Sequence, residues 1–114
     1  MILVLDIDID VIKGIMFINL EGELSSKTIS KLESEINYLI YKQGMHLFVF
    51  NFNNLDTIEY GIIETIQNKL VEIFLNCGKV VMCGLSDCNR KLIGVHERLF
   101  FVNNERDAFE YLYI

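Results

Sequence analysis

The sequence predicts an α/β fold: a mixed β-sheet with helices packed mainly on one face, in the order ββαβαβαβα. Two observations favour this class. Apolar and polar residues alternate over the first short segment, as in a strand, and from residue 29 onward segments of helical period separate short apolar runs. Helices that connect successive strands imply right-handed crossovers and parallel pairing, so we expect only the first hairpin to be antiparallel.

The beginning of the chain predicts a strand with one solvated face. Aspartates at 6, 8 and 10 alternate with apolar residues, which are Leu3, Leu5, Ile7, Ile9 and Val11. Alternating carboxylates also suggest a calcium loop, but counted from Asp6 the sixth place holds Val11 where such a loop needs Gly, and the twelfth holds Phe17 where it needs Glu. Lys13-Gly14 predicts a hairpin turn, and Ile15 to Leu20 a second strand that ends in the segment 21–26.

The first helix is predicted from a stripe of apolar residues at helical spacing. The stripe consists of Ile29, Leu32, Ile36, Leu39 and Ile40. Ser25 or Ser26 is expected to cap the helix, and Gly44 suits its C-terminal end. Burial of this stripe is worth about 1.5–3 kcal/mol for each side chain before entropy is subtracted, enough to hold the helix on the sheet.

A central strand and a second helix follow. Residues 47–52 form an apolar run typical of a buried strand, and Asn53, Asn54 and Asp56 favour a turn after it. The period then lengthens to that of a helix, through Ile62, Ile63, Ile66 and Leu70. Glu59 precedes this helix, where a negative charge is favourable against the helix dipole.

The remaining elements are short. Asn76 to Gly78 ends the second helix, and Lys79 to Gly84 is a strand. Ser86 or Asp87 caps a brief helix through Leu92 that Gly94 stops, and Leu99 to Val102 is the last strand. Asn103 or Asn104 caps a final helix from Glu105 to about Tyr113. Its inward residues are expected to be Ala108, Phe109 and Leu112.

Composition limits the classes of function. The 114 residues, taken as one domain, carry 10 basic and 16 acidic side chains, a net charge of −6 that disfavours nucleic acid and anionic membranes as partners. No apolar run approaches the ~18 residues of a membrane span, and the acidic beginning of the chain is unlike a signal peptide, so we expect a cytoplasmic protein.

Few side chains indicate catalysis or metal binding. Cys77, Cys83 and Cys88 contain no CxxC pair, so neither a zinc site nor a disulfide framework is predicted. His46 and His96 have no partner at a catalytic spacing. The sequence therefore predicts no cofactor, no metal and no enzymatic activity.

Several segments at their spacings resemble one known family. They are Gly22–Leu24, Asn51–Leu55, Gly78–Val81, Glu97–Phe100 and Asn104–Ala108. Over nearly the whole chain they are similar to the STAS domain of bacterial anti-sigma factor antagonists. The resemblance implies a switch in which a kinase anti-sigma factor phosphorylates a Ser at the start of the second helix, within an Asp-Ser-Ser-Gly stretch. The unphosphorylated antagonist binds the kinase and frees the sigma factor.

The sequence departs from that family at the switch itself. Aligned without a gap, the Asp-Ser-Ser-Gly stretch falls on residues 59–62, so that Tyr60 and Gly61 stand where the family has its two serines. The Asp that commonly follows Gly-Glu-Leu is Ser25 here. Thr57 is the nearby hydroxyl of the right kind and is the candidate phosphorylation site that remains.

Two functions of different classes follow as hypotheses. The favoured one is a binding module without Ser phosphorylation, whose partner is an anti-sigma factor kinase or another STAS-containing protein. Its partner-binding residues are predicted to be Ser25, Asn53, Asn54, Thr57, Glu59, Tyr60, Gly61 and Ile63. The alternative is a small-ligand domain or thiol enzyme that uses the second-helix N-terminus as an anion site and Cys88 as nucleophile.

The role of Tyr60 divides these hypotheses further. Its ring closes the loop as a half-buried side chain, stands exposed as an anchor for a partner, or carries a phosphate as phosphotyrosine. Helix geometry places Tyr60 and Ile63 on one face, where they are expected to form a small apolar patch, whereas Ile62 points toward the sheet. A concave polar pocket there would favour a ligand, and a convex apolar surface a protein.

Overall fold

The computed structural model describes residues 4–112 and contains one five-stranded sheet with four α-helices. The strands are β1 (Leu5–Ile12), β2 (Ile15–Leu24), β3 (Leu47–Ile58), β4 (Lys79–Cys83) and β5 (Leu99–Val102). The helices are α1 (Ile29–Tyr41), α2 (Ile63–Leu75), α3 (Asp87–Ile93) and α4 (Glu105–Leu112), and a 3₁₀ turn (Tyr60–Ile62) precedes α2. The predicted order of elements is confirmed.

The strands lie side by side in chain order, from β1 to β5. The β1–β2 pair is antiparallel and the other three pairs are parallel, as predicted. Between the first two strands Lys13 and Gly14 have φ of 54° and 81°, the left-handed pair that a two-residue hairpin turn requires. Asp6, Asp8 and Asp10 are exposed, which confirms the solvated face of β1, while Leu3 lies outside the described residues.

This strand order decides which face the helices cover. When parallel strands follow one another in one direction across a sheet, crossovers of one hand place their helices on one side. Helices α1, α2 and α3 accordingly pack into one large apolar cluster with the sheet, and the predicted stripe from Ile29 to Ile40 is buried in it. The opposite face holds a smaller cluster with α4, whose Ala108 and Leu112 are buried. Helices thus lie mainly on one face, as expected.

The last helix agrees with its predicted packing. Phe109 is half-buried, with its ring centroid 5.5 Å from that of Phe17. The side chain of Asn104 accepts a hydrogen bond from Asp107 N–H at 3.1 Å, so Asn104 caps the helix. The predicted end at Tyr113 lies outside the described residues.

Two predicted strand ends were wrong, because β2 and β3 each run past the polar residues that were expected to end them. They remain paired as far as Leu24 and Ile58, with two irregularities in register between residues 19 and 23 of β2. Gly22 makes the longer β2 possible, since its φ is +104° and a Cβ there would collide with Val4 O. The predicted turn at Asn53 to Asp56 is therefore strand.

The predicted serine cap of α1 was also wrong. The N-cap residue is Thr28, without a side-chain cap bond, and Ser25 and Ser26 lie in the preceding turn. In α3, by contrast, the Ser86 hydroxyl accepts from Asn89 N–H and Gly94 follows the last turn, as predicted. None of the described helices combines the length and the apolar character needed to cross a bilayer.

Candidate protein-binding site

The candidate site begins where the paired strands β2 and β3 end together. Glu59 N–H donates to Leu24 O at 2.8 Å, which closes the ladder one residue beyond the last paired position. The 3₁₀ turn starts immediately afterwards, and Ile62 N–H donates to Glu59 O at 3.3 Å. The loop is thus held by the sheet at one side and by the start of α2 at the other.

The carboxylate of Glu59 joins this loop to the start of α1. Glu59 Oε2 accepts a hydrogen bond from Ser26 N–H at 3.2 Å, and it forms no cap bond to its own helix. The sequence placed Glu59 against the dipole of the second helix. In the structure its described bond goes to the neighbouring loop instead, so a carboxylate of the chain itself bridges the two helix starts.

Tyr60 is exposed, so its ring does not close the loop as a half-buried side chain. Its side chain and backbone together are 75% accessible, whereas Ile62 is 2% accessible and points inward as predicted. Gly61 is also exposed, and a Cβ there would meet Glu59 Oε1 at an ordinary 3.6 Å, so this position does not depend on glycine for space. The Tyr60 ring is therefore open to contact by another molecule.

The expected patch of Tyr60 with Ile63 does not form. Ile63 is 8% accessible because it begins the buried stripe of α2, three residues before Ile66 and seven before Leu70. Its side chain belongs to the core, and Ile63 is therefore removed from the surface that a partner can contact.

Ser25 is likewise buried, at 1% accessibility, which removes its side chain from the predicted surface. Its N–H donates to Thr28 Oγ1 at 2.9 Å, and the Thr28 hydroxyl donates to Glu23 O at 2.8 Å. The Ser25 hydroxyl accepts from Lys27 N–H at 3.2 Å. These bonds satisfy polar groups inside the turn, so Ser25 and Thr28 stabilise the start of α1.

The other predicted site residues lie on the exposed second half of β3. Asn53, Asn54 and Thr57 are exposed, and Asn53 N–H donates to Asn51 Oδ1 at 2.9 Å. Gly84 lies directly against Asn53, at φ +82°, where a Cβ would overlap the asparagine side chain. Thr57 is paired with Glu23 in the β2–β3 ladder, so the candidate phosphorylation site lies in a strand and not in a turn.

A shallow hollow of about 220 Å³ lies beside this half of β3. Its lining includes Thr57, Ile58, Leu85 and Asn89, and Tyr60 is not among the lining residues.

Among the predicted site residues, those that the structure brings to one exposed segment, which runs from β3 into α2, are Asn53, Asn54, Thr57, Glu59, Tyr60 and Gly61. Sequence reasoning missed Ser26, whose contribution is a backbone N–H that no side-chain pattern signals.

Within residues 4–112, no hydrogen bond joins a cysteine or histidine side chain to this loop. Cys88 is exposed on α3, His96 stacks on Phe74 with ring centroids 4.0 Å apart, and His46 Nδ1 lies 3.2 Å from Asn76 O. Burial, and then the charges of Glu105 and Asp107, raise the pKa of the Cys83 thiol to about 12, so this thiol is not a nucleophile at neutral pH. No group of three potential metal ligands occurs among residues 4–112.

The sequence model of the STAS domain matches residues 6–107. The chain belongs to the STAS family. The match includes every strand and helix start that builds the loop at Tyr60, so the candidate site lies within the STAS domain itself.

Solved structures agree with this assignment. The anti-sigma factor antagonist SpoIIAA in its unphosphorylated form is similar with a TM-score of 0.76 and 16% identity, over 96% of this chain and 98% of that one. The phosphorylated form of the Bacillus cell fate determinant SpoIIAA gives 0.71 and 18%, over 96% and 99%. A proposed anti-sigma factor antagonist from Thermotoga maritima gives 0.76 and 11%, over 95% of both chains. At these identities the likeness shows the STAS fold.

Proposed function

We propose that this STAS domain is a non-enzymatic protein-binding module of a bacterial partner-switching system, and that its partner docks on the loop from β3 into α2. The observation that carries the proposal is the exposed Tyr60 at the head of α2, on a loop held at both sides. Exposed aromatic side chains on a fixed backbone are favoured as binding anchors, because little conformational freedom is lost when they are buried.

The chemistry of the loop supports a protein partner over a small ligand. Tyr60 is exposed and does not line the hollow beside β3, the Glu59 carboxylate lies between the starts of α1 and α2, and Glu64 adds a second acid in the first turn of α2. Both acids disfavour a small anion at the start of α2. A protein surface can instead cover the tyrosine ring and leave the acids at the rim.

The partner we propose is an anti-sigma factor kinase or another STAS-containing protein. Similar solved structures carry the name anti-sigma factor antagonist, and one pair of them differs by phosphorylation. In this chain residues 59–62 are Glu, Tyr, Gly and Ile, so no Ser or Thr hydroxyl stands at the family's acceptor positions. We propose that binding here is not switched off by phosphorylation of a serine.

Capture from the native cell extract tests the docking surface. The wild-type domain and Tyr60→Ala are immobilised side by side, with Tyr41→Ala as a matched control, since Tyr41 is another exposed tyrosine, on α1. We expect an anti-sigma factor kinase or a STAS-containing protein that is retained by the wild type and by Tyr41→Ala and lost from Tyr60→Ala. Equal retention by all three would contradict the proposal.

Intact-mass measurement tests the absence of the switch. The domain is incubated with the captured kinase and Mg-ATP, and its mass is expected to stay unchanged because Tyr60 and Gly61 offer no Ser or Thr hydroxyl. A stoichiometric gain of one phosphate on a Ser or Thr between residues 51 and 65 would refute this. Repeating the reaction with Thr57→Val would then show whether Thr57 is the acceptor.

A further inference from the structure

Strand β1 is an edge of the sheet with eight residues and one neighbour, β2. A long open edge presents unpaired backbone groups to which another extended chain can add. The opposite edge, β5, has four residues, so β1 offers the longer template.

The hairpin register shows which backbone groups are open. Ile12 and Ile15 close a two-residue turn, so they form a hydrogen-bonded pair, and bonded pairs then recur at every second residue. The N–H and C=O groups of residues 6, 8, 10 and 12 therefore point to β2, and those of 5, 7, 9 and 11 point outward. Two observed bonds agree: Val4 O accepts from Glu23 N–H on β2, whereas Leu5 O accepts from Lys31 Nζ on α1.

The outward groups of Ile7, Ile9 and Val11 have no hydrogen-bond partner within the described range 4–112. Side chains on the two faces of this edge differ. Ile7 and Ile9 are half-buried beside the main core, and Val11 is 60% accessible. The other face carries three exposed aspartates, at 6, 8 and 10.

Within residues 4–112, no salt bridge joins the three aspartates to a cation. Their partners across the ladder are Glu21, Asn19 and Phe17. The ion pair found among the described residues joins Lys69 to Glu72 on α2 and involves none of them. The edge therefore combines free backbone donors and acceptors with a row of unpaired negative charges.

Charge disfavours a second copy of β1, paired antiparallel, as the occupant. If two copies pair antiparallel through their outward groups, odd-numbered residues of one copy lie opposite odd-numbered residues of the other. The even-numbered aspartates of one copy then lie opposite even-numbered residues of the other, on the same face of the sheet. Centred pairing, for example, places Asp8 opposite Asp8 and Asp6 opposite Asp10. Like charges directly opposite are unfavourable, and every substantial overlap contains at least one such pair.

We propose that the β1 edge binds an extended segment of another protein that has Lys or Arg at every second position and apolar residues between them. Such a segment would bond to the open groups of Ile7, Ile9 and Val11, set its cations opposite the three aspartates and lay its apolar side chains beside Ile7 and Ile9. This mode is strand addition, with backbone bonds for affinity and alternate side chains for specificity. It is separate from the loop at Tyr60.

Two synthetic peptides of one composition test the proposal, one with Lys and Val alternating and one with the Lys residues clustered at one end. Binding is measured by fluorescence anisotropy at low salt, where surface charges act most strongly. We expect the alternating peptide to bind about ten-fold more tightly than the clustered one, and D6N/D8N/D10N to lose about ten-fold, as three cross-strand charge pairs would give. Equal affinities of the two peptides, or no binding, would overturn the proposal.

Amide exchange and a proline variant separate strand addition from simple charge attraction. Adding the alternating peptide should slow exchange at Ile7, Ile9 and Val11, while Asp6, Asp8 and Asp10 are already protected by β2. Val11→Pro removes an outward N–H that bonds to nothing in the described chain and should weaken binding, whereas Val11→Thr should not, and Tyr60→Ala should leave peptide affinity unchanged. Unchanged exchange at the three outward amides would overturn the proposal even if the peptide bound.

Discussion

The starts of α1 and α2 lie at the same end of the sheet and touch through the bond from Ser26 N–H to Glu59, yet they are built in opposite ways. Before α1, the buried Ser25 and Thr28 satisfy one another and Glu23 O. Before α2, Glu59, Tyr60 and Gly61 face solvent. The turn before α1 is thus closed by the hydrogen bonds of a buried serine and threonine, and we call it the closed turn. The turn before α2 contains neither residue type and offers the exposed surface.

Burial therefore distinguishes the structural residues of these turns from the candidate binding residues. Residue type alone would not distinguish them. A serine next to a helix start invites a functional interpretation, but the hydrogen bonds of Ser25 are all used inside the turn. The exposed turn can change its side chains at little cost to the fold, which is the condition for a surface that varies with its partner.

The largest expected effect comes from the core beneath α1. Ile36 is buried against the sheet, so Ile36→Ala should lower the free energy of unfolding by about 2–5 kcal/mol, through lost burial and the cavity left behind. Ile36→Val is the matched control and should cost about 0.5–1.5 kcal/mol. Chemical denaturation of both variants measures this, and equal losses would show that the site collapses around the smaller side chain.

An intermediate effect is expected in the closed turn. Thr28→Val keeps the shape of the side chain but leaves Ser25 N–H and Glu23 O without their bonds, which should cost about 1–3 kcal/mol of stability. Thr28→Ser retains the hydroxyl and should be milder. If Thr28→Val were as stable as the wild type in chemical denaturation, the turn before α1 would not be closed in the way described.

The smallest effect on folding is expected in the exposed turn. Tyr60→Ala should change the free energy of unfolding by less than about 0.5 kcal/mol, because substitutions of exposed side chains that pack on little are nearly neutral. A loss as large as that of Ile36→Ala would mean that Tyr60 stabilises the fold and would remove the contrast between the two helix starts.

The sequence was sufficient for the order of elements and for the buried stripe of α1, because hydrophobic period reports directly which side of a helix or strand faces the core. It was insufficient for the length of β2 and β3. Strand pairing depends on a backbone partner elsewhere in the chain, and the polar side chains of Asn53 and Asn54 favour a turn only where no such partner exists. The same limit affected Ser25 and Ile63, which were predicted to contact a partner and are buried.

The exposure of Tyr60 could not be settled from the sequence because the chain passes from exposed to buried positions within three residues of it. Ile62 and Ile63 are both buried, and Gly61 is exposed. Ile63 is buried because it begins the apolar stripe of α2, so its side chain follows Ile66 and Leu70 into the core and leaves the exposed Tyr60 without an apolar neighbour on this face.

The most direct test of the account is the dissociation rate of the complex with the captured partner, measured for the wild type, Tyr60→Ala and Glu64→Ala by surface-binding kinetics. A central aromatic governs how long a complex lasts, and a charge at the rim governs mainly the rate of encounter and its salt dependence. We predict that Tyr60→Ala dissociates faster and loses ~2 kcal/mol or more of binding, roughly thirty-fold in affinity, while Glu64→Ala loses under ~1 kcal/mol. An unchanged dissociation rate for Tyr60→Ala would contradict the assignment of the binding surface to this loop.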